Sequence, residues 1–327
     1  MIIVNYRTPL LTVDCLRSLR PEMLAHLGAQ VVVVENASGD DSARVISTAI
    51  RNEGWGGWAR VVESPVNGGF AYGNNVALRP ALARGSGFDF FWLLNPDTTV
   101  RPGALDALLE FARAHPDAGI MGSAMEGADG APWPYAFRFP TLWSELDAGM
   151  RLGVVSRLLR RWAILHPMND QDAQVDWVIG ASMMVRREVF ELVGLMDEHY
   201  FLYFEETDFC LQARRAGCSC WYVARSRVMH IAGQSTGVTG KQTVLKRMPK
   251  YWFDSRRRYF IKNRSRTYAI ATDLVWTAAH ALWRVRRVIQ RRPPVDPPHF
   301  LADFFRYSAL ATSDIDGNPT VTDGAGR

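Results

Sequence analysis

The run Phe90-Phe91-Trp92-Leu93-Leu94-Asn95-Pro96-Asp97-Thr98-Thr99 joins five consecutive apolar residues to an abrupt polar stop. A short continuous apolar run reads as a strand buried on both faces, as in a sheet covered by helices. Proline cannot continue a hydrogen-bonded ladder, so the strand ends at Asn95-Pro96. Asp97 is therefore expected on rigid backbone at the carboxyl end of a core strand, the edge where open α/β sheets bind ligands. A carboxylate there suits a hard divalent cation that takes further ligands from substrate phosphates. An isolated Asn-Pro-Asp is also an ordinary acidic turn, so the flanking segments must decide.

Upstream, strand, polar turn and helix recur three times. Met1–Val4 reads as strand, Asn5-Tyr6-Arg7-Thr8-Pro9 as turn, and Leu10–Leu19 as helix with Leu11, Cys15, Leu16 and Leu19 at helical spacing. Val31–Val34 is a second buried strand, ending in Glu35-Asn36-Ala37-Ser38-Gly39-Asp40-Asp41 before a helix from Ser42 to Ile50. Val61-Val62-Glu63 precedes Asn67-Gly68-Gly69-Phe70-Ala71-Tyr72-Gly73-Asn74-Asn75, which opens a helix over Val76–Ala83. This recurrence is the signature of a parallel sheet with crossover helices. The Gly68/Gly69/Gly73 turn can cradle phosphate through backbone N–H groups at a helix N-terminus. It is neither G-x-G-x-x-G nor a Walker loop, so a plain turn is an equal reading. Glu35, Asp40 and Asp41 read equally as residues capping the next helix.

Downstream, Gly103–His115 is a helix set between Pro102 and Pro116. Residues 122–176 form a proline- and aromatic-rich excursion over the sheet, with a short basic helix at Leu152–Leu159. Val175–Val185 returns to the core, and Gly180-Ala181 permits close approach of backbone or ligand. Arg187–Val193 is a helix closed by Gly194. Tyr200-Phe201-Leu202-Tyr203-Phe204-Glu205-Glu206-Thr207-Asp208 leads into a helix through Arg215, then Cys220–Val223 and Val228-Met229-His230 follow.

The 327 residues suffice for one large α/β domain and an appendage. The net charge of +5 is segregated: fifteen Lys and Arg against two Asp lie between Lys241 and Arg292. Such a block suggests an anionic partner or surface. Cys15, Cys210, Cys218 and Cys220 lack zinc-ligand spacing and read as free thiols. The opening Met1–Tyr6 is too short for a signal-peptide core, and no stretch reaches 18 uncharged apolar residues. The expected division is a catalytic domain over 1–240 (nucleotide half 1–122, acceptor half 123–240), a basic aromatic helical extension over 241–312 and a disordered tail over 313–327.

Taken together, these stretches resemble the family 2 glycosyltransferases of GT-A fold, in particular the bacterial rhamnosyltransferase-like branch that builds surface polysaccharides. The resemblance runs from Ile3-Val4-Asn5-Tyr6 through Val33–Asp40, Asn67–Phe70, Gly73–Asn75, Leu94–Asp97, Gly180–Phe190 and Phe201–Asp208 to His230, in matching order and spacing. It implies an α/β fold with a Rossmann-like, mostly parallel sheet, a nucleotide-sugar donor, inversion at the anomeric carbon and a divalent metal, Mn²⁺ or Mg²⁺. It places Asn5, Tyr6, Glu35, Asn36 and Asp40 at nucleotide-contacting positions. Asn67, Gly68, Gly69 and Asn74 fall along the ribose and diphosphate, with Asn95 and Asp97 at the family's Asp-x-Asp motif. Asn95 replaces that motif's first acid. His230 matches a further metal position, and neutral imidazole suits Mn²⁺ better than Mg²⁺. The family's Glu-Asp is here Glu205-Glu206.

Transfer to a sugar hydroxyl needs a base on the acceptor side and a cation on the diphosphate side. Glu206 is the candidate base and Glu205 the runner-up, with Asp208 orienting the acceptor or the helix N-terminus. All three also read as helix-capping acids. Trp177, beside Gly180 and Ala181, reads as an acceptor-stacking ring or a core aromatic. The best single donor from the resemblance is dTDP-rhamnose, and the acceptor is a lipid-linked glycan or polysaccharide. Tyr268–Trp283 carries Tyr268, Ala271, Leu274, Val275, Ala278, Leu282 and Trp283 at helical spacing and is followed by Arg284, Arg286, Arg287, Arg291 and Arg292, as in an interfacial anchor. The implied enzyme is cytoplasmic and peripheral at the inner membrane face; packing on the catalytic domain or on a second subunit, as a homodimer, is the alternative use of that helix. Competing functions are an inactive nucleotide-sugar-binding homologue and a nucleic-acid-binding protein. Glu35, Asp97, Glu205 and Glu206 oppose the latter, because they repel phosphates in the absence of a metal.

Overall fold

The computed structural model describes residues 1–83, 87–127, 129–133, 135–231, 246–293 and 295–312. The expected domain boundary at 240/241 and the expected disordered tail over 313–327 lie outside the described residues. In chain order, β1 (Ile2–Asn5), α1 (Pro9–Ala25), β2 (Val31–Glu35), α2 (Ser42–Asn52), β3 (Ala59–Glu63) and α3 (Gly69–Leu82) build the first half. β4 (Phe90–Leu94), β5 (Thr98–Val100), α4 (Ala104–Ala114) and β6 (Ala118–Glu126) follow. The excursion holds β7 (Pro132–Trp133), β8 (Tyr135–Phe137), α5 (Leu142–Met150), α6 (Gly153–Leu158), β9 (Leu165–Pro167) and β10 (Ala173–Val175). β11 (Ser182–Arg186), α7 (Arg187–Val193), α8 (Glu205–Arg215) and β12 (Ser219–His230) complete the sheet, and α9 (Lys250–Asn263), α10 (Arg266–Ile289) and α11 (Phe300–Arg306) cover one side.

The main path of the sheet runs β10-β12-β6-β11-β4-β1-β2-β3. β4, β1, β2 and β3 are parallel neighbours, as the strand–turn–helix recurrence predicts. Beyond β4 the sheet is mixed, because β11 runs antiparallel to both β4 and β6 while β12 is parallel to β6. Both faces are buried, and alternate residues divide between two cores. Ile2, Val32, Val34, Phe91 and Leu93 enter one, whereas Ile3, Val31, Val33, Trp92 and Leu94 enter the other. Continuous Val and Leu runs are what such two-sided burial demands.

The strand with no apolar-run signal is β6, Ala118-Gly119-Ile120-Met121-Gly122-Ser123-Ala124-Met125-Glu126, every residue of which is buried. Its small residues answer to crowding. A Cβ on Gly122 would lie 2.5 Å from the Val178 Cβ, and one on Gly119 would lie 2.8 Å from the Cys218 Cβ.

In the C-terminal helices, part of the basic block and the aromatics serve packing on the domain, the alternative use that the sequence also offered. Arg256, Arg257, Arg258 and Lys262 are internal counter-charges. Buried Arg256 pairs with Glu145 (2.7 Å) and Asp273, Arg257 with Asp254 (3.0 Å), and Arg258 and Lys262 with Asp197 at 2.8 and 2.7 Å. A guanidinium held this far from water needs such partners. The aromatics of α10 also point inward: Trp276 and Trp283 are buried with Ala269, Ala279 and His280, and Trp276 stacks on Phe304 of α11 at 4.0 Å.

Candidate active site

The carboxyl ends of β1, β2 and β3 are level, with Asn5 opposite Glu35 and Glu35 opposite Glu63. Asn5 is fully buried, and its Oδ1 accepts from Thr12 Oγ1 at 2.9 Å. Glu35 Oε1 accepts from the Ser38 backbone N–H at 2.9 Å, closing the turn after β2. Asn36 Nδ2 donates to Asn67 Oδ1 (2.9 Å) and to the Gly69 carbonyl (3.1 Å), which ties that turn to the glycine turn. Its buried Oδ1 has no partner. Tyr6 is half-buried beneath the Arg7 guanidinium, and Gly68 opens α3. The structure therefore gathers Asn5, Tyr6, Glu35, Asn36, Asn67, Gly68 and Gly69 at one sheet edge. Two expected members are tied to their own helices. Asp40 is exposed and accepts from the Ser42 N–H at the start of α2 (2.9 Å), and Asn74 is buried within α3, donating to the Phe70 carbonyl (2.9 Å).

Asp97 follows β4 as the sequence implies, and the antiparallel pairing of β5 with β12 sets Thr98 opposite His230. His230 Nε2 thus lies 3.2 Å from Asp97 Oδ1, with Asn95 Nδ2 at 3.4 Å. Both residues are buried, and His230 Nδ1 has no hydrogen-bond partner. Adjacent ligands on one divalent ion at ordinary bond lengths lie about 3 Å apart, so this pair fits a shared cation. A second grouping, Glu22, His26 and Asp106, has a structural role, since Glu22 accepts from the Gly103 and Leu105 N–H groups at the start of α4.

Glu205 and Glu206 open α8 after two consecutive left-handed residues, Tyr203 (φ 71°) and Phe204 (φ 69°). Bulky residues rarely adopt that conformation, and it persists only where packing imposes it. Here α9 does so: Tyr251 rests against Phe201 and Tyr203, Tyr259 against Phe204, and Ser255 Oγ donates to the Leu202 carbonyl. Burial pushes the Glu205 carboxyl well above the usual carboxylate range, and the Glu206 charge adds to this. Burial also raises Glu206, although its own backbone N–H and that of Gly180 oppose the rise. Glu205 is the more enclosed, Glu206 is half-buried, and each has one oxygen without a partner. A helix N-terminus favours anions; for this pair, burial outweighs it.

Gly180 and Ala181 bridge the two sides through their backbone. The Glu206 carboxylate lies beside the Gly180 backbone, with Oε1 3.9 Å from a Cβ built on Gly180, and the Ala181 carbonyl accepts from the Asn95 N–H at 3.2 Å. A Cβ on Gly180 would meet the Phe70 ring at 2.8 Å.

Two further expectations are corrected. Asp208 faces α9, accepting from Lys262 Nζ and Asn263 Nδ2, each at 2.6 Å, because its place one turn into α8 points it toward the covering helix. Trp177 stacks on Phe137 at 4.3 Å and donates Nε1 to the Arg138 carbonyl at 3.0 Å, so it is a packing residue. The aromatic beside the acid–histidine pair is Trp133, exposed on β7 with its ring centroid 6.0 Å from that of His230. It lies in the excursion where no periodicity marks a role.

Residues 1–246 match the profile described as "Glycosyltransferase like family 2". Among curated proteins, the N-acetylglucosaminyl-diphospho-decaprenol L-rhamnosyltransferase of Mycobacterium tuberculosis is 33% identical over 154 residues, 46% of this chain and 49% of that protein. Rhamnosyltransferase WbbL of Escherichia coli is 28% identical over 167 residues, 50% of this chain and 61% of that protein. The chain thus spans about half to three-fifths of these relatives' length. The mannosyltransferase PcManGT from Pyrobaculum calidifontis, solved with GDP-Man and Mn²⁺, is 14% identical with a TM-score of 0.54 over 93% of this chain and 77% of that one. GalNAc-T7, solved with UDP, GalNAc and Mn²⁺, is 13% identical with a TM-score of 0.54 over 89% of this chain and 58% of that one. At such identities these two structures share its fold. With a profile match over residues 1–246 of 327, the chain belongs to glycosyltransferase-like family 2.

Proposed function

We propose that the chain transfers a sugar, with inversion, from a nucleotide-sugar donor to a hydroxyl of a lipid-linked or polysaccharide acceptor. The observation that carries this is the placement of the Glu206 carboxylate beside Gly180, with Oε1 3.9 Å from a Cβ built there, next to the Ala181 carbonyl that accepts from the Asn95 N–H at the strand end bearing Asp97. In this reading Asn5, Glu35, Asn36 and the Asn67–Gly69 turn hold the nucleotide and diphosphate. Asp97 and His230 hold a divalent cation, best Mn²⁺ given the nitrogen ligand. When bound, the cation neutralises the departing diphosphate. Glu206 takes the acceptor proton. Glu205 stays protonated beside it, since two adjacent buried carboxyls do not both ionise readily. Trp133 offers a sugar-stacking face, one of the two roles that the sequence left open for Trp177.

The relatives named as rhamnosyltransferases support dTDP-rhamnose as the first donor to test and a polyprenyl-diphosphate sugar as the first acceptor. Such an acceptor places the enzyme at a membrane surface, on the cytoplasmic side where nucleotide sugars are used. The test is release of nucleoside diphosphate from a panel of nucleotide sugars with Mn²⁺, with and without acceptor. Acceptor-stimulated release from one donor supports the reading; no turnover with the whole panel refutes it.

A further inference from the structure

The outer face of α10 is apolar from its second turn to its end. Leu274, Ala278, Ala281, Leu282, Val285, Val288 and Ile289 are all exposed, and none of them is charged. At helical spacing they form one stripe opposite the face that buries Trp276, His280 and Trp283. The exposures of 61% for Leu282, 59% for Val285 and 75% for Ile289 show that no described part of the chain covers it. An uncovered aliphatic stripe of this length marks a surface that meets a partner or lipid. Among the described residues, no helix is long and apolar enough to cross a membrane.

Arginines decide the occupant. Arg284, Arg291 and Arg292 are exposed around the C-terminal half of α10 without a carboxylate partner among the described residues. Arg286 donates to the Met150 and Arg151 carbonyls, which brings the start of α6 beside this half. There Val154 and Leu158 are exposed among Arg157, Arg160 and Arg161. Aliphatic side chains framed by unpaired cations complement an anionic lipid surface, with the chains in the headgroup boundary and the guanidiniums on phosphate.

We propose that the outer face of α10, flanked by α6, is a docking surface for an anionic membrane. The aliphatic stripe, which includes Leu274, Ala278 and Leu282 of the expected anchor, enters the interface, while Trp283 stays buried in the fold. The proposal builds on the lipid-linked acceptor reading for its purpose, yet stands on this face alone. α10 packs on α9, whose Tyr251, Ser255 and Tyr259 hold the loop before Glu205-Glu206, so the docking helix is one element removed from the proposed base.

The test is co-sedimentation of the full chain with phosphatidylcholine vesicles, with and without phosphatidylglycerol. The intact chain should pellet with the anionic vesicles, and salt should weaken this. Leu282→Glu/Val285→Glu should lower partitioning about tenfold or more, because two inserted side chains are lost. Arg284→Ser/Arg291→Ser should lose much of the preference for anionic over neutral vesicles. Unchanged melting temperatures would confirm that both variants fold, as expected for exposed positions. The proposal is overturned if the intact chain ignores anionic vesicles, or if the glutamate variant pellets like the intact chain. It is equally overturned if that variant turns a dimer into a monomer while the intact chain ignores lipid, since a second copy then covers the face. Failure of sugar transfer in the donor panel would leave the sedimentation result unaffected.

Discussion

The Phe70 backbone N–H donates to the Phe201 carbonyl at 2.9 Å, fastening the glycine turn at the start of α3 to the loop that aims Glu205 and Glu206. The proposed donor and base sides are thus joined by a main-chain bond, and Gly69 makes the approach possible. It sits at φ 86°, and a Cβ there would fall 1.8 Å from the Phe201 oxygen.

Gly69→Ala should therefore separate the two loops. The expected cost is more than about 1 kcal/mol in stability, with a fall in kcat/KM beyond what the stability loss explains. Thermal melts and transfer kinetics read the two effects. Gly56→Ala is the control, because no atom lies within 4 Å of a Cβ built there.

Asp97→Ala and His230→Ala should each weaken Mn²⁺-dependent binding of a nucleoside diphosphate by at least about tenfold, since direct ligands matter no less than outer-shell ones. Chelation of the metal should reproduce the loss in the intact chain, and added Mn²⁺ should reverse it. Calorimetric titration of the nucleotide with and without metal decides this. Affinity unchanged in Asp97→Ala would remove Asp97 from the metal site.

How much of this was legible follows from what each residue must do. The strands with two-sided burial announce themselves as apolar runs, and Asp97 and His230 fall where such strands end. β6 is equally central but is written in Gly, Ala and Ser because Val178 and Cys218 crowd it, so its composition conceals it. Asp208 and Trp177 look functional in sequence because acids and aromatics serve sites and packing alike. Their partners Lys262 and Phe137 are respectively 54 and 40 residues away, and only folding reveals them.

The raised carboxyl pair sets a pH dependence. A carboxyl held above its ordinary range contributes stability at low pH, and that contribution is lost as pH rises through the raised value. Glu205→Gln should accordingly melt higher than the intact chain on the alkaline side of neutrality and about alike in acid. Because Glu205 is the more enclosed and the Glu206 charge adds to its rise, Glu206 is the member of the pair assigned the charge, beside a neutral neighbour. The acid limb of the rate profile should therefore stay in place in Glu205→Gln. A limb that moves by a full pH unit would show that Glu205 is charged in the working enzyme.

Asp208→Ala should act on the fold. It leaves the Asn263 amide without its buried acceptor, while Lys262 keeps Asp197, at a cost of about 1–3 kcal/mol as for an unsatisfied buried polar group. Denaturant unfolding should show the loss, whereas kcat at a temperature where the variant is folded should fall far less than in Glu206→Gln.

The turnover of Glu206→Gln beside that of Glu205→Gln, with donor affinity measured on both, goes to the heart of the chemistry. Removing a general base typically costs about 10²–10⁴-fold in rate with little effect on ground-state binding. Glu206→Gln should show that fall in kcat with donor affinity within a few-fold of the intact chain, and Glu205→Gln should retain most of its turnover. The reverse order, with Glu205→Gln inactive and Glu206→Gln active, would contradict the assignment of Glu206 as the base.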